Sequence, residues 1–139
     1  MFYYKHSNTR ASSHNIDRYS ILIRLAINGY GRIGRNILRA FYERPELSEH
    51  IQIVAINDLG DVEINQHLTQ YDTVHGRFHL PVNREGNELI IGSDRITALS
   101  EKDPAKLPWK EMAIDVVCEC TGLFTTRDKA EAHITAGAK

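Results

Sequence analysis

The chain has 139 residues, 42% of them hydrophobic and 25% charged, with a formal net charge of −1. That balance fits one soluble globular domain, and the apolar runs are far too short to span a bilayer. The basic residues are scattered rather than gathered into a stripe, which argues against nucleic acid as a partner.

Residues 1–20, MFYYKHSNTRASSHNIDRYS, are polar and rich in Ser and Asn. With neither an apolar secretion core nor a helical apolar stripe, they are expected to form a mobile leader ahead of a single domain over residues 21–139. The run ILIRLAIN (21–28) is rich in branched apolar residues and stops at glycine, which predicts a short strand buried on both faces. Beyond Gly31, apolar Ile33, Ile37, Leu38, Ala40 and Phe41 recur at helical steps, until Pro45 excludes helical geometry at Arg44. IQIVAIN (51–57) reads as a second buried strand ending at Asp58, and DVEINQHLTQ (61–70) as a helix with an apolar face of Val62, Ile64 and Leu68.

FHLPV, NELIIG and RITAL, separated by the turn signals NREGN and SD, predict a small antiparallel meander whose first strand Pro81 keeps at an edge. DVVCEC (115–120) returns to the buried-strand pattern, and TTRDKAEAHITAGAK to a helix. Thr125 with Asp128 resembles a capping box there, Gly137 a C-cap, and Ala130 and Ile134 are expected to face inward. The alternation predicts an α/β fold, a mostly parallel sheet with helices on both faces.

The spacing Gly29, Gly31, Gly34 is G-x-G-x-x-G, placed after a predicted strand and before a predicted helix. An acid, Asp58, follows about 24 residues later at the end of the next strand. This is the dinucleotide fingerprint: Gly29 permits the tight turn, Gly31 lets a pyrophosphate approach the backbone, and Gly34 lets the helix pack close to the sheet. The amides of Arg32 and Ile33 have no intrahelical partners and lie at the positive end of the helix dipole, so an anion bound there stabilises both. Asp58 can accept both hydroxyls of an adenosine ribose and repels a 2′-phosphate, which favours NAD over NADP. Asn28, at the end of the first strand, joins the candidate cofactor-binding residues.

Cys118 and Cys120 lie two apart in an apolar run, a placement that suits neither a disulfide nor a zinc site and points to the reducing cytoplasm. His67, His75 and His79 are near one another, but no residue supplies a convincing fourth metal-ligand spacing, so they read as structural.

The segments AINGYGRIGRNILRAFYE, VAIND, YDTVHGRF and CTGLFTTRDKAEAHITAGAK closely resemble, in order and spacing, the amino-terminal half of phosphorylating glyceraldehyde-3-phosphate dehydrogenase. The resemblance runs from about Leu25 to Lys139 and implies a Rossmann-type NAD-binding domain. It also implies an enzyme, tetrameric in the family, in which a cysteine thiolate adds to a sugar-phosphate aldehyde, hydride passes to nicotinamide, and inorganic phosphate releases the thioester as an acyl phosphate. By that resemblance Arg32 and Ile33 touch the pyrophosphate, Asp58 the adenosine ribose, and Thr121, Gly122 and Phe124 flank the adenine. Lys102 stands where the family often has arginine, and lysine cannot reproduce a planar stacked fork. Tyr71 and Arg77 read as loop-packing or subunit-contact residues.

The family's Ser-x-Cys-Thr-Thr-Asn-Cys motif and its general-base histidine have no counterpart in the 139 residues. Cys118 and Cys120 precede the strand-end loop, where packing is expected, so no catalytic residue is assigned and the chain is expected to hold NAD without turning over. The segments also resemble the sibling erythrose-4-phosphate dehydrogenase; GLFTT, and Asp58 following VAIN, favour glyceraldehyde 3-phosphate. A non-catalytic nucleotide-binding module is the alternative from another class.

Overall fold

A computed structural model of the chain describes residues 22–72 and 75–139. The polar leader expected over residues 1–20 lies outside the described residues, as do Thr73 and Val74 of YDTVHGRF. In chain order the elements are β1 (Ile23–Asn28), α1 (Arg32–Tyr42), β2 (Ile51–Asn57), α2 (Val62–Gln70), the two-residue strands β3 (Tyr71–Asp72) and β4 (Gly76–Arg77), then β5 (Val82–Glu85), β6 (Glu88–Ile91), β7 (Asp94–Leu99), β8 (Val116–Glu119) and α3 (Arg127–Thr135). Six strands form one sheet in the order β5-β6-β7-β2-β1-β8, and β3 pairs with β4 apart from it. β1 runs parallel to β2 and β8, and β2 parallel to β7, whereas β6 is antiparallel to both of its neighbours.

The branched apolar runs form the inner strands because both sheet faces are covered. Along β1, Ile27 points into one core with Leu38, Phe41, Ile53 and Ile56, while Ala26 points into the other with Trp109, Leu107, Ile114 and Ala136. The β1–β2 register slips between Leu25 and Ala26, which pair with Ile53 and Ala55. Val54 is thus the extra residue of a bulge, and both Val54 and Ala55 join the second core.

Six sequence expectations are corrected. Helix α2 forms, but its buried face is Asn65, Thr69 and Gln70, and Ile64 is 58% exposed. The polar face is buried because it is satisfied: the Gln70 amide donates to Phe78 O at 3.0 Å and Leu80 O at 3.1 Å and accepts from Val82 N at 2.7 Å. Those bonds hold residues 78–80 as a bend, so the first meander strand starts only at Val82, after Pro81, and does lie at the sheet edge. The helical stripe of α1 is narrower than expected, with Leu38 and Phe41 buried, Ala40 exposed and Ile33 64% exposed.

Helix α3 is capped by Thr126, whose side chain accepts from Lys129 N, rather than by Thr125. Its inward residue is His133, and Ile134 is 55% exposed. At its other end Gly137 N donates to Ile134 O and Ala138 N to His133 O, with Gly137 at φ +107, a Schellman ending. β8 is half-buried rather than fully buried because, among the described residues, it pairs only with β1.

Candidate functional site

The carboxyl ends of β1, β2 and β8 lie side by side, Asn28 in register with Asn57 and with Glu119. Gly29 follows β1 at φ +88, and a Cβ there would sit 2.6 Å from Thr121 N. A Cβ on Gly34 would run into the Gly29 carbonyl oxygen. Both glycines are therefore required by the protein's own backbone. Gly31 is different: it adopts φ −76, open to any residue, and beyond its own chain neighbours no heavy atom of the described residues lies within 4 Å of where its Cβ would be. Nothing among the described residues requires a glycine there, and the open space leaves room for a group to approach the backbone.

Gly31 is the N-cap of α1, where no side chain caps the helix and no acidic residue stands in the first turn. By contrast α2 is capped by Asp61 and α3 by Thr126. The first amides of α1, those of Arg32 and Ile33 among them, thus face the space in front of Gly31 with the positive end of the helix dipole behind them, a cradle that suits a pyrophosphate.

Half-buried Asp58 is fixed beside this cradle: Oδ1 accepts from Tyr30 N at 3.1 Å and Oδ2 from Gly60 N at 2.9 Å. Asn65 Nδ2 makes a long second contact to Oδ2 at 3.5 Å, and Oδ1 keeps a lone pair for a further donor, so the carboxylate is oriented without being saturated. The Tyr30 hydroxyl donates to Thr69 Oγ1 at 2.7 Å, because Thr69 spends its own proton on Asn65 O at 2.6 Å. Burial pushes the Tyr30 hydroxyl well above its ordinary titration range, so it is a fixed neutral donor.

Lys102 is exposed on the loop after β7. That loop is fastened to β2 by Asn57, which accepts from Glu101 N at 2.8 Å and donates to Glu101 O at 2.9 Å. The Asn28 side chain is itself buried, accepting from Asn57 Nδ2 at 2.7 Å and donating to Glu119 Oε2 at 2.7 Å, which makes it a strand-end brace. Thr121 follows β8, Gly122 turns at φ +74, and the Phe124 ring meets His133 edge-on with centroids 6.5 Å apart.

A cavity of about 810 Å³ opens along the outer side of β8, with Val116, Val117, Gly122, Phe124 and Ile134 in its walls. None of Gly29, Gly31, Gly34 or Asp58 lines it, so it is separate from the glycine turn.

Sequence reasoning missed Glu119, His133 and Trp109, which join Asn28 in one buried polar chain. The Trp109 indole donates to His133 Nδ1 at 3.0 Å, and His133 Nε2 lies 2.6 Å from Glu119 Oε2. The available signal was spacing, since His133 stands three residues from both Ala130 and Ala136 on one helical stripe.

Both cysteines pack against the first core. Burial pushes the Cys118 thiol up and, with the neighbouring Cys118 and Glu119, takes Cys120 to about 11. The His75 and His67 rings meet Asp72 and Tyr71, and the Arg77 guanidinium lies 6.0 Å from the Tyr71 ring centroid. No helix among the described residues is long and apolar enough to cross a membrane.

Sheet order, glycine turn and strand-end acid together define a dinucleotide-binding α/β domain of Rossmann type. Residues 23–127 match the family described as glyceraldehyde 3-phosphate dehydrogenase, NAD binding domain. The chain belongs to that family, and its cofactor is NAD. It is 58% identical over 117 residues to the chromosomal glyceraldehyde-3-phosphate dehydrogenase of Cupriavidus necator, covering 84% of this chain and 34% of that protein. The plasmid-borne enzyme of the same organism is 57% identical over 117 residues, and the Pseudomonas aeruginosa enzyme 57% over 116, each with the same coverage. The chain therefore spans about a third of the length of the curated relatives it matches.

Proposed function

We propose that this chain is the cofactor-holding part of an NAD-dependent phosphorylating dehydrogenase of glyceraldehyde 3-phosphate, a cytoplasmic enzyme that works as a tetramer. The observation that carries the reading is Gly31, a glycine with an ordinary φ and open space before it, at the uncapped end of α1. The pyrophosphate of NAD would lie against Gly31 and the amides of Arg32 and Ile33. Asp58 would take the two hydroxyls of the adenosine ribose, while Thr121, Gly122, Phe124 and Lys102 would border the adenine. Bound NAD supplies a hydride acceptor.

This chain binds and orients that cofactor and does not by itself reduce it, because Cys118 and Cys120 are core-packed thiols rather than nucleophiles. The relatives, all three glyceraldehyde-3-phosphate dehydrogenases, favour glyceraldehyde 3-phosphate over erythrose 4-phosphate as the substrate of the whole enzyme.

The test is to titrate NAD and NADP separately into the chain. NAD is expected to bind at least tenfold more tightly, since a 2′-phosphate would be brought against the Asp58 carboxylate, a repulsion worth about 1.4 kcal/mol or more. Asp58→Asn should erase most of that preference. Equal affinities for the unaltered chain, or tighter NADP, would overturn the assignment of Asp58.

A further inference from the structure

We propose that Glu119 is the positioning residue of the NAD site, its one carboxylate holding the glycine turn and the loop through Thr121 and Gly122 at a fixed separation. The inference rests on the NAD reading above. Glu119 ends β8, and its Oε1 accepts from Thr121 N at 3.0 Å and from Thr121 Oγ1 at 2.6 Å. Its Oε2 accepts from Asn28 Nδ2 at 2.7 Å and from His133 Nε2 at 2.6 Å. Four donors fill the four acceptor positions of an ionised carboxylate.

Three segments meet on that group, and two of them border the cradle. Asn28 immediately precedes Gly29, and Thr121 N is the atom that a Cβ on Gly29 would strike first, at 2.6 Å. With its proton given to Glu119, Thr121 Oγ1 is left to accept from Leu123 N at 3.0 Å, which sets the turn at Gly122. The third segment, α3, is tied in through a relay. Because the Trp109 indole nitrogen can only donate, His133 Nδ1 must accept, and the ring's proton resides on Nε2, facing Glu119. At 3.5 Å, Asn28 Nδ2 and His133 Nε2 are two donors converging on one oxygen rather than partners of each other. Burial alone would push the Glu119 carboxyl up, but the bonds from His133, Thr121 and Asn28 outweigh it and hold the group below its ordinary range.

Glutamine at this position has the same shape and the wrong hydrogens. Its amide NH2 must face either Asn28 and His133 or the two donors of Thr121, so one side of the clasp opens.

Glu119→Gln is expected to weaken NAD binding at least tenfold by isothermal titration, at a temperature where circular dichroism shows the variant folded. A carboxylate that merely supported the fold would lower the melting temperature and leave the Kd of folded molecules alone, so an affinity within twofold of the unaltered chain overturns the proposal. Side-chain NMR gives a second readout: Trp109 keeps the His133 proton on Nε2 in both proteins, but the Nε2 proton, strongly deshielded by its bond to a carboxylate in the unaltered chain, is expected to move upfield in Glu119→Gln. If Glu119→Gln does not fold, Trp109→Phe decides, because Trp109 lies outside the cradle and its loss frees Nδ1. There NAD binding about threefold weaker, with mixed His133 tautomers, supports the relay, and an unchanged Kd overturns it. Failure of the unaltered chain to bind NAD would instead sink the reading beneath the proposal.

Discussion

At the carboxyl ends of β1 and β8, polar groups are treated in opposite ways. On one side of the turn, the first amides of α1 are donors that no side chain caps, facing open space before Gly31. On the other, the Glu119 carboxylate is an acceptor filled by four donors from Asn28, Thr121 and His133. The first region has capacity and no internal use for it; the second has none to spare. A site for an anionic ligand needs both, because unsatisfied donors attract the ligand only if something saturated keeps them aimed.

The sharpest way to break this contrast is to substitute two glycines three residues apart. Gly31→Val fills space that the protein leaves open, so NAD affinity should fall about a hundredfold while the melting temperature changes little. Gly34→Ala drives a methyl into the Gly29 carbonyl and should reduce stability by about 1–3 kcal/mol, visible as a lower denaturation midpoint in urea. Equal stability losses in the two variants would mean that Gly31, too, serves the fold.

A smaller effect concerns acid. The bonds to Glu119 hold its carboxyl below the ordinary 4.5, so the carboxylate contributes stability above the unfolded value and loses it as pH falls through the lower folded one. Melting temperature measured from neutral pH downwards should therefore drop less steeply for Glu119→Gln than for the unaltered chain; parallel curves would show the clasp adds nothing to folding.

The smallest expected signal is a lack of reaction. With Cys120 at about 11, on the order of one thiol in a thousand is ionised at pH 8, so alkylation by iodoacetamide should be about a hundredfold slower than for a free cysteine. Rapid labelling of Cys120 in the folded chain would contradict its place in the core.

The glycine turn, the strands before and after α1, and the acid at the end of β2 were legible in the sequence because each depends on neighbours close in the chain. Gly29, Gly31 and Gly34 announce their geometry by spacing alone. The polar faces of α2 and α3 were not legible, for a shared physical reason. Gln70 is buried because Phe78, Leu80 and Val82 meet it, and His133 because Trp109 and Glu119 do. Hydrophobic periodicity assigns such residues to solvent, since the partners that make their burial affordable lie on other elements. The cap of α3 was displaced by one residue because Thr125 and Thr126 are chemically equivalent candidates. The short β3–β4 pair carries too few residues to show an alternation at all.

The bond from Asn28 to Glu119 joins residues 91 positions apart, across about three-quarters of the described chain. β1 is an early segment and β8 a late one, so the two walls of the cradle meet only after the helices and the meander between them have been gathered in. Closing so long a loop is entropically costly and kinetically slow compared with forming α1 or the β5–β6 hairpin. During folding, competence to hold a nucleotide therefore arrives no sooner than this long closure, and a bound nucleotide reports a finished topology rather than a finished motif.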